Sequence, residues 1–289
     1  MSITNGSHYT SAFTKSPLLS GQVAVVTGAS RGLGRAYARA LAEDGAAVAL
    51  IARGSAQLRS FAIELSRLGN RVLPIEADVT DGDAVRAAAE WVLGVFGRVD
   101  LLVNAAGLGM PMGPFADASI EEWWRTIEVN FRGPALWSRA LLPSMIARRR
   151  GRIVNVASIA GGRAIANWSA YATSKAALIR LSETLALECA ASGVGVFPIH
   201  PGAVRTDMTE EALHSDEARR LVPGLAAIFD RGEDTAIDDS VAFLMRIARG
   251  EADALSGRFI TVRDDLTSLG APAADALTLR LVQPAPAVV

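Results

Sequence analysis

Short apolar runs, each too brief for a helix, recur along the chain at 23–27, 47–51, 72–75, 99–103, 153–156, 194–199 and 259–262. Most are continuous in Val, Ile, Leu and Ala instead of alternating with polar residues. That pattern marks strands buried on both faces of a parallel sheet. Between them, 34–43, 55–68, 83–96, 120–148, 171–191 and 234–248 carry apolar residues at helical spacing. Parallel strands need crossover connections, and helices supply them. The alternation therefore predicts an α/β fold: a doubly wound, Rossmann-type parallel sheet of about seven strands with helices on both faces.

With 289 residues, half of them hydrophobic, the chain can bury the core of one such domain. We expect that domain over 21–270, a polar mobile arm over 1–20 and a tail over 271–289 that is rich in Ala and Pro. Residues 204–233 are helical in pattern but fall between the sixth strand and the next sheet-packing helix, where an insertion is well placed to act as a lid. The formal net charge of −1 argues against nucleic acid as a partner, because phosphate neutralisation needs a basic surface. Arg148, Arg149 and Arg150 read as a solvated helix C-terminus. No apolar run is long enough to span a membrane, and the first 20 residues lack the apolar centre of a signal peptide, so the expected location is cytoplasmic. Cys189 is the one cysteine and reads as a core or interface thiol. His8, His200 and His214 have no metal-ligand spacing, so no metal is expected.

The first strand runs directly into Thr27-Gly28-Ala29-Ser30-Arg31-Gly32-Leu33-Gly34, and a helix follows. Glycines at such a turn let the backbone approach a pyrophosphate, and the helix N-terminus stabilises its charge. The end of the second strand should then read the adenosine ribose, where an NAD binder usually carries an acid. Here the sequence is Ala52-Arg53, and Arg31 lies in the glycine turn nearby. Two guanidinium groups in place of an acid suit a 2′-phosphate, so NADP(H) is expected in preference to NAD(H).

Tyr171 and Lys175 stand at i and i+4 at the start of a predicted helix and so share one face. A tyrosine is a poor base at neutral pH, with a free pKa near 10. A lysine charge about 6 Å away at an effective dielectric of about 20 is worth roughly 3 kcal/mol, or about 2 pKa units, toward the phenolate. Ser158 ends the fifth strand on the side where parallel sheets bind ligands, and its hydroxyl can bond a substrate oxygen as charge develops.

Taken in order, the TGASRGLG turn, Asn104-Ala105-Ala106-Gly107, Ser158, Tyr171-x-x-x-Lys175 and Pro201-Gly202 resemble the short-chain dehydrogenase/reductase (SDR) family over roughly 20–262. The resemblance implies carbonyl–alcohol interconversion by hydride transfer, with Tyr171 as general acid and base. It implies a catalytic tetrad of Asn130, Ser158, Tyr171 and Lys175, in which Asn130 holds a water linking Lys175 to solvent. For the cofactor it implies Gly28, Ser30, Arg31, Gly32, Leu33, Gly34 and Arg53, then Asp78 and Val79 at the adenine, and Asn104, Ala105, Ala106 and Gly107. It further implies Lys175 at the nicotinamide ribose beside Tyr171, and Pro201, Gly202, Val204 and Thr206 toward the carboxamide or phosphates. Ala105 replaces a frequent second asparagine, and Arg263-Asp264-Asp265 replaces a common Asp-Gly-Gly end.

The substrate, a small molecule, should lie among 108–115, 159–168 and the lid, with Met110 and Trp168 beside Ser158 and Tyr171. These segments are mainly apolar, and the substrate is expected to be so too. A homodimer or homotetramer is expected by the same resemblance. Two other readings stay open: an NAD-dependent alcohol dehydrogenase of the same family, and a catalytically inactive NADP(H)-binding sensor or scaffold.

Overall fold

The computed structural model describes residues 18–269. The expected tail over 271–289 lies outside these residues, as does the expected arm except for Leu18, Leu19 and Ser20. Leu19 corrects the arm's boundary. It is only 2% exposed, and its amide donates to the Asp44 carbonyl at 3.0 Å, so the packed structure begins before residue 21.

The strands are β1 (Val23–Thr27), β2 (Ala47–Ala52), β3 (Val72–Glu76), β4 (Leu101–Asn104), β5 (Gly151–Val156), β6 (Val194–His200) and β7 (Ile260–Thr261). They form one sheet in the order β3-β2-β1-β4-β5-β6-β7, every pair parallel. Every residue of β1 and β4 is buried, as continuous apolar runs require. Successive side chains point to opposite faces, so neighbouring residues serve different cores. Val26, Leu50, Val103 and Val154 pack against α1 (Gly32–Glu43), α2 (Ser55–Ser66) and α10 (Ile237–Ala248). Val25, Ile51, Leu102 and Ile153 pack against α3 (Gly82–Phe96), α5 (Gly133–Ala147) and α6 (Ser169–Cys189). Cys189 is buried in this second core, as its place in the sequence suggested.

The expected helix over 120–148 is two helices. After α4 (Ile120–Ile127), a π-turn over Glu128–Arg132 leads into α5. Pro134 stands four residues after Asn130 and has no N–H, so the Asn130 carbonyl has no α-helical donor and the ladder must re-register. Between β6 and α10, the segment expected as a lid folds as α7 (Asp207–His214), α8 (Asp216–Leu221) and α9 (Pro223–Asp230). The arginine run also differs from expectation. Arg148 caps α5 but is not simply solvated: it joins Arg98 on the buried carboxylate of Asp100, which also accepts from the Val23 amide at 3.0 Å. Among the described residues, no helix is long and apolar enough to cross a membrane.

Candidate active site

The strand order reverses between β1 and β4, and the connections leave on opposite sides there. A crevice at the C-terminal ends of the strands follows from that topology. The structure has one of about 1450 Å³, lined by the loops after β1, β2, β3, β4, β5 and β6 and by α7 to α9.

Its floor at one end is the glycine turn. A Cβ on Gly28 would lie 2.8 Å from the Ala106 Cα, and one on Gly34 would strike the Gly28 carbonyl. Only glycine lets these backbones meet and leaves the N-terminus of α1 open to a ligand. Thr27 joins the two loops: its hydroxyl accepts from the amides of Ala105 and Ala106 at 3.1 and 3.2 Å. Ser30, Gly32, Leu33, Val79, Gly107, Pro201, Gly202, Val204 and Thr206 also line the cleft.

The two arginines expected at the adenosine end are not equivalent. Arg53 lines the cleft, is exposed, and has no ion-pair or hydrogen-bond partner among the described residues. Arg31 lines it too, but its guanidinium is 3.3 Å from the Asp207 carboxylate on α7. Asp78 is similarly committed. One oxygen accepts from the Thr80 amide and hydroxyl at 2.9 and 2.7 Å, and the other faces Arg125 of α4 at 2.7 Å. Burial raises its pKa, but these donors outweigh burial and hold it at about 2.

At the other end, Ser158, Tyr171 and Lys175 converge. Ser158 closes β5 and caps a 3₁₀ turn, its hydroxyl accepting from the Ala160 amide at 3.2 Å. Tyr171 and Lys175 stand on the first turns of α6, with Lys175 Nζ 5.6 Å from the phenol ring centroid. Lys175 is 4% exposed and donates to the Val156 carbonyl at 2.7 Å. Burial lowers its pKa to about 8. Burial also pushes the Tyr171 phenol up, against a hydrogen bond with Ser158 that pulls it down. Beside the Coulomb attraction expected from the Tyr171–Lys175 spacing, desolvation is the larger effect on both groups.

Asn104 and Asn130 do not line the cleft. The Asn104 amide donates to Asn155 at 2.8 Å, and Asn155 donates to Ser182 of α6 at 2.8 Å. This buried polar line stitches β4, β5 and α6 together beneath the site. The Asn130 side chain accepts from the Leu108 amide at 2.8 Å and donates to the Leu108 carbonyl and to Ser174, so it braces the 108–113 loop. Thr126 holds the same loop through the Met110 carbonyl. Met110 and Trp168 line the cleft, whereas Phe115 is 62% exposed and does not line it. Thr27 belongs to the glycine-turn motif but carries no expected role there, and Asn155, Arg125 and Thr126 carry no motif. The available signal was position alone: Asn155 is next to last in β5, and Arg125 and Thr126 lie on α4.

The residues present suit a nicotinamide dinucleotide: a glycine cradle that a Cβ on Gly28 or Gly34 would fill, a helix N-terminus for the phosphates, and the Arg53 guanidinium, which has no partner among the described residues.

A family model described as short chain dehydrogenase matches residues 22–217. A short chain dehydrogenase from Pseudocercospora fijiensis is 34% identical over 260 residues, covering 86% of this chain and 82% of its own. Among solved structures, levodione reductase superposes with a TM-score of 0.77 at 26% identity, covering 84% of this chain and 96% of that one. NAD+-bound xylitol dehydrogenase does so with a TM-score of 0.76 at 28% identity, covering 84% and 98%.

Proposed function

The chain belongs to the short-chain dehydrogenase/reductase family of nicotinamide-dependent oxidoreductases, and on that premise we propose that it is an NADP(H)-dependent enzyme reducing a ketone to a secondary alcohol, or the reverse. The observation that carries the reading is the convergence of Ser158, Tyr171 and Lys175 at one end of a cleft whose other end offers an unpaired Arg53.

When bound, the dinucleotide supplies the hydride. The chain's own residues manage the oxygen and its proton. Ser158 and Tyr171 hydrogen-bond the substrate oxygen and steady the charge that develops there. Burial keeps the phenol protonated at neutral pH, the form that reduction needs, and Tyr171 gives its proton to the nascent alkoxide. Lys175 lies against the phenol ring and stabilises the tyrosinate that remains. In this reading Asn130 holds a water that links Lys175 to solvent, and the proton returns along that path.

Gly28, Gly32 and Gly34 would take the pyrophosphate, Asp78 and Val79 the adenine, and Arg53 with a share of Arg31 the 2′-phosphate. Met110, Trp168 and the apolar wall at Ile165, Leu221 and Leu225 favour a mainly apolar substrate. The lid is α7 to α9. We take the enzyme to be a cytoplasmic homo-oligomer. A second reading, NAD-linked oxidation of an alcohol, draws on the NAD+-bound neighbour; Ala52, where a ribose-binding acid would stand, weighs against it.

The test is Tyr171→Phe against a panel of ketones with NADPH. Turnover should fall by about 10²- to 10⁴-fold, the range for losing a general acid, with NADPH affinity unchanged. Turnover close to wild type would remove Tyr171 from the chemistry.

A further inference from the structure

Trp168 breaks a local rule at the start of α6. It is the N-cap, a position that favours Ser, Thr, Asp or Asn, yet it makes no side-chain capping bond. Asn167 before it has φ +62°, the left-handed region that asparagine enters more readily than other non-glycine residues. Where a chain departs from local preference without local gain, the compensation lies in tertiary contacts, and such positions cluster at functional sites.

Those contacts are specific. The Trp168 indole stacks on the Tyr171 ring, centroids 4.3 Å apart and planes 14° from parallel. Its N–H donates to the Gly109 carbonyl at 2.5 Å. Gly109 itself lies under the lid, since a Cβ there would be 3.1 Å from Met208 Cγ on α7. The Asn167 side chain donates to the Leu221 carbonyl of α8 at 3.0 Å, and its own carbonyl accepts from the Gly113 amide at 2.8 Å. The lid and the 108–113 loop therefore both end on this dipeptide, and the dipeptide ends on the phenol.

We propose that Trp168 is a positioning residue for Tyr171, and that Asn167-Trp168 is the knot through which the seated lid fixes the proton donor. The inference rests on the reading of Tyr171 as that donor. A phenol on the first turn of a helix has rotational freedom about its side-chain bonds, and proton transfer tolerates little of it. The indole removes that freedom by covering one face of the ring. The unusual N-cap is what brings the indole there, because a side chain at i−3 lies on the tyrosine's own helical face.

The protein has three tyrosines, Tyr9, Tyr37 and Tyr171. Ring-labelled tyrosine NMR therefore gives a readout of the stack that does not depend on turnover, with Tyr171→Phe assigning the signal. In the wild type, the indole ring current should hold the Tyr171 signal upfield. Trp168→Ala should release it and lower kcat by about tenfold or more, small misplacements costing up to about 100-fold, with NADPH affinity unchanged. Trp168→Phe keeps a stacking ring without the Gly109 bond and should restore most of kcat. Asn167→Gly keeps the left-handed backbone and drops the Leu221 bond, so it should loosen the stack, moving the Tyr171 signal part of the way downfield, and lower kcat less than Trp168→Ala does.

Kinetics use whichever of 2-octanone, cyclohexanone and acetophenone the wild type reduces fastest with NADPH. A Tyr171 signal that does not move in Trp168→Ala overturns the proposal. So does a loss confined to KM, which would leave Trp168 a wall of the pocket. In both cases an inactive Tyr171→Phe leaves the proton-donor reading standing, whereas an active Tyr171→Phe removes that reading and the inference with it.

Discussion

Arg53→Ala separates the two arginines that look alike in the sequence. Arg53 lines the cleft and has no partner among the described residues, so its guanidinium is available to a 2′-phosphate. A hydrogen bond to a charged group contributes about 1.5–3 kcal/mol. At about 1.4 kcal/mol per tenfold, losing it should weaken NADPH binding by roughly 10- to 150-fold. NADH has no phosphate there and should bind Arg53→Ala as it binds the wild type. Arg31 is different. It already faces Asp207 at 3.3 Å, with both side chains about two-thirds exposed (67% and 65%), and any bond to a phosphate is made in competition with that carboxylate. Arg31→Ala should therefore cost NADPH less than Arg53→Ala. Asp207→Asn, which releases Arg31, should tighten NADPH and leave NADH unchanged. The assay is fluorescence titration of both dinucleotides at one fixed ionic strength, because salt screens exposed charges. Equal losses for NADPH and NADH in Arg53→Ala would refute the argument, as would wild-type protein that binds NADH more tightly than NADPH.

Two further predictions concern stability. Asp78 is held at about 2 in the folded chain against an ordinary 3.8, so it adds stability that is fully present above 3.8 and is lost as pH falls through about 2. At 1.36 kcal/mol per unit this is roughly 1–2 kcal/mol after solvent screening. Arg125→Ala should move the acid-unfolding midpoint, followed by circular dichroism, to higher pH; an unmoved midpoint would show that the ion pair adds nothing. Asp100 lies at the edge of the sheet opposite the cleft and is 2% exposed among Arg98, Arg148 and the Val23 amide. Asp100→Ala strands those donors and should cost about 3 kcal/mol, the low end for a broken buried pair, without changing kcat. A urea midpoint close to wild type would mean that water replaces the carboxylate.

The alternation of apolar runs and amphipathic stretches determined the sheet, because strand burial and helix period are written in neighbouring residues. Each of the seven expected runs overlaps an observed strand, with ends differing by a residue or two. The glycine turn and the Tyr171–Lys175 pair were legible for the same reason: their geometry is fixed by spacing along one turn or one helix face. What the sequence could not decide lies between residues far apart in the chain. Arg31 is paired because α7 brings Asp207 to it from 176 positions away, while Arg53 has no such neighbour among the described residues. Asn130 braces the 108–113 loop from within a π-turn, a role that depends on where that loop crosses. Tyr171 and Lys175 are shifted chiefly by burial, a property of everything packed around them and not of their spacing. Trp168 reads in the sequence as one more apolar pocket residue; only the folded chain lays its ring on the phenol, because only packing brings the lid, the 108–113 loop and the start of α6 to one place.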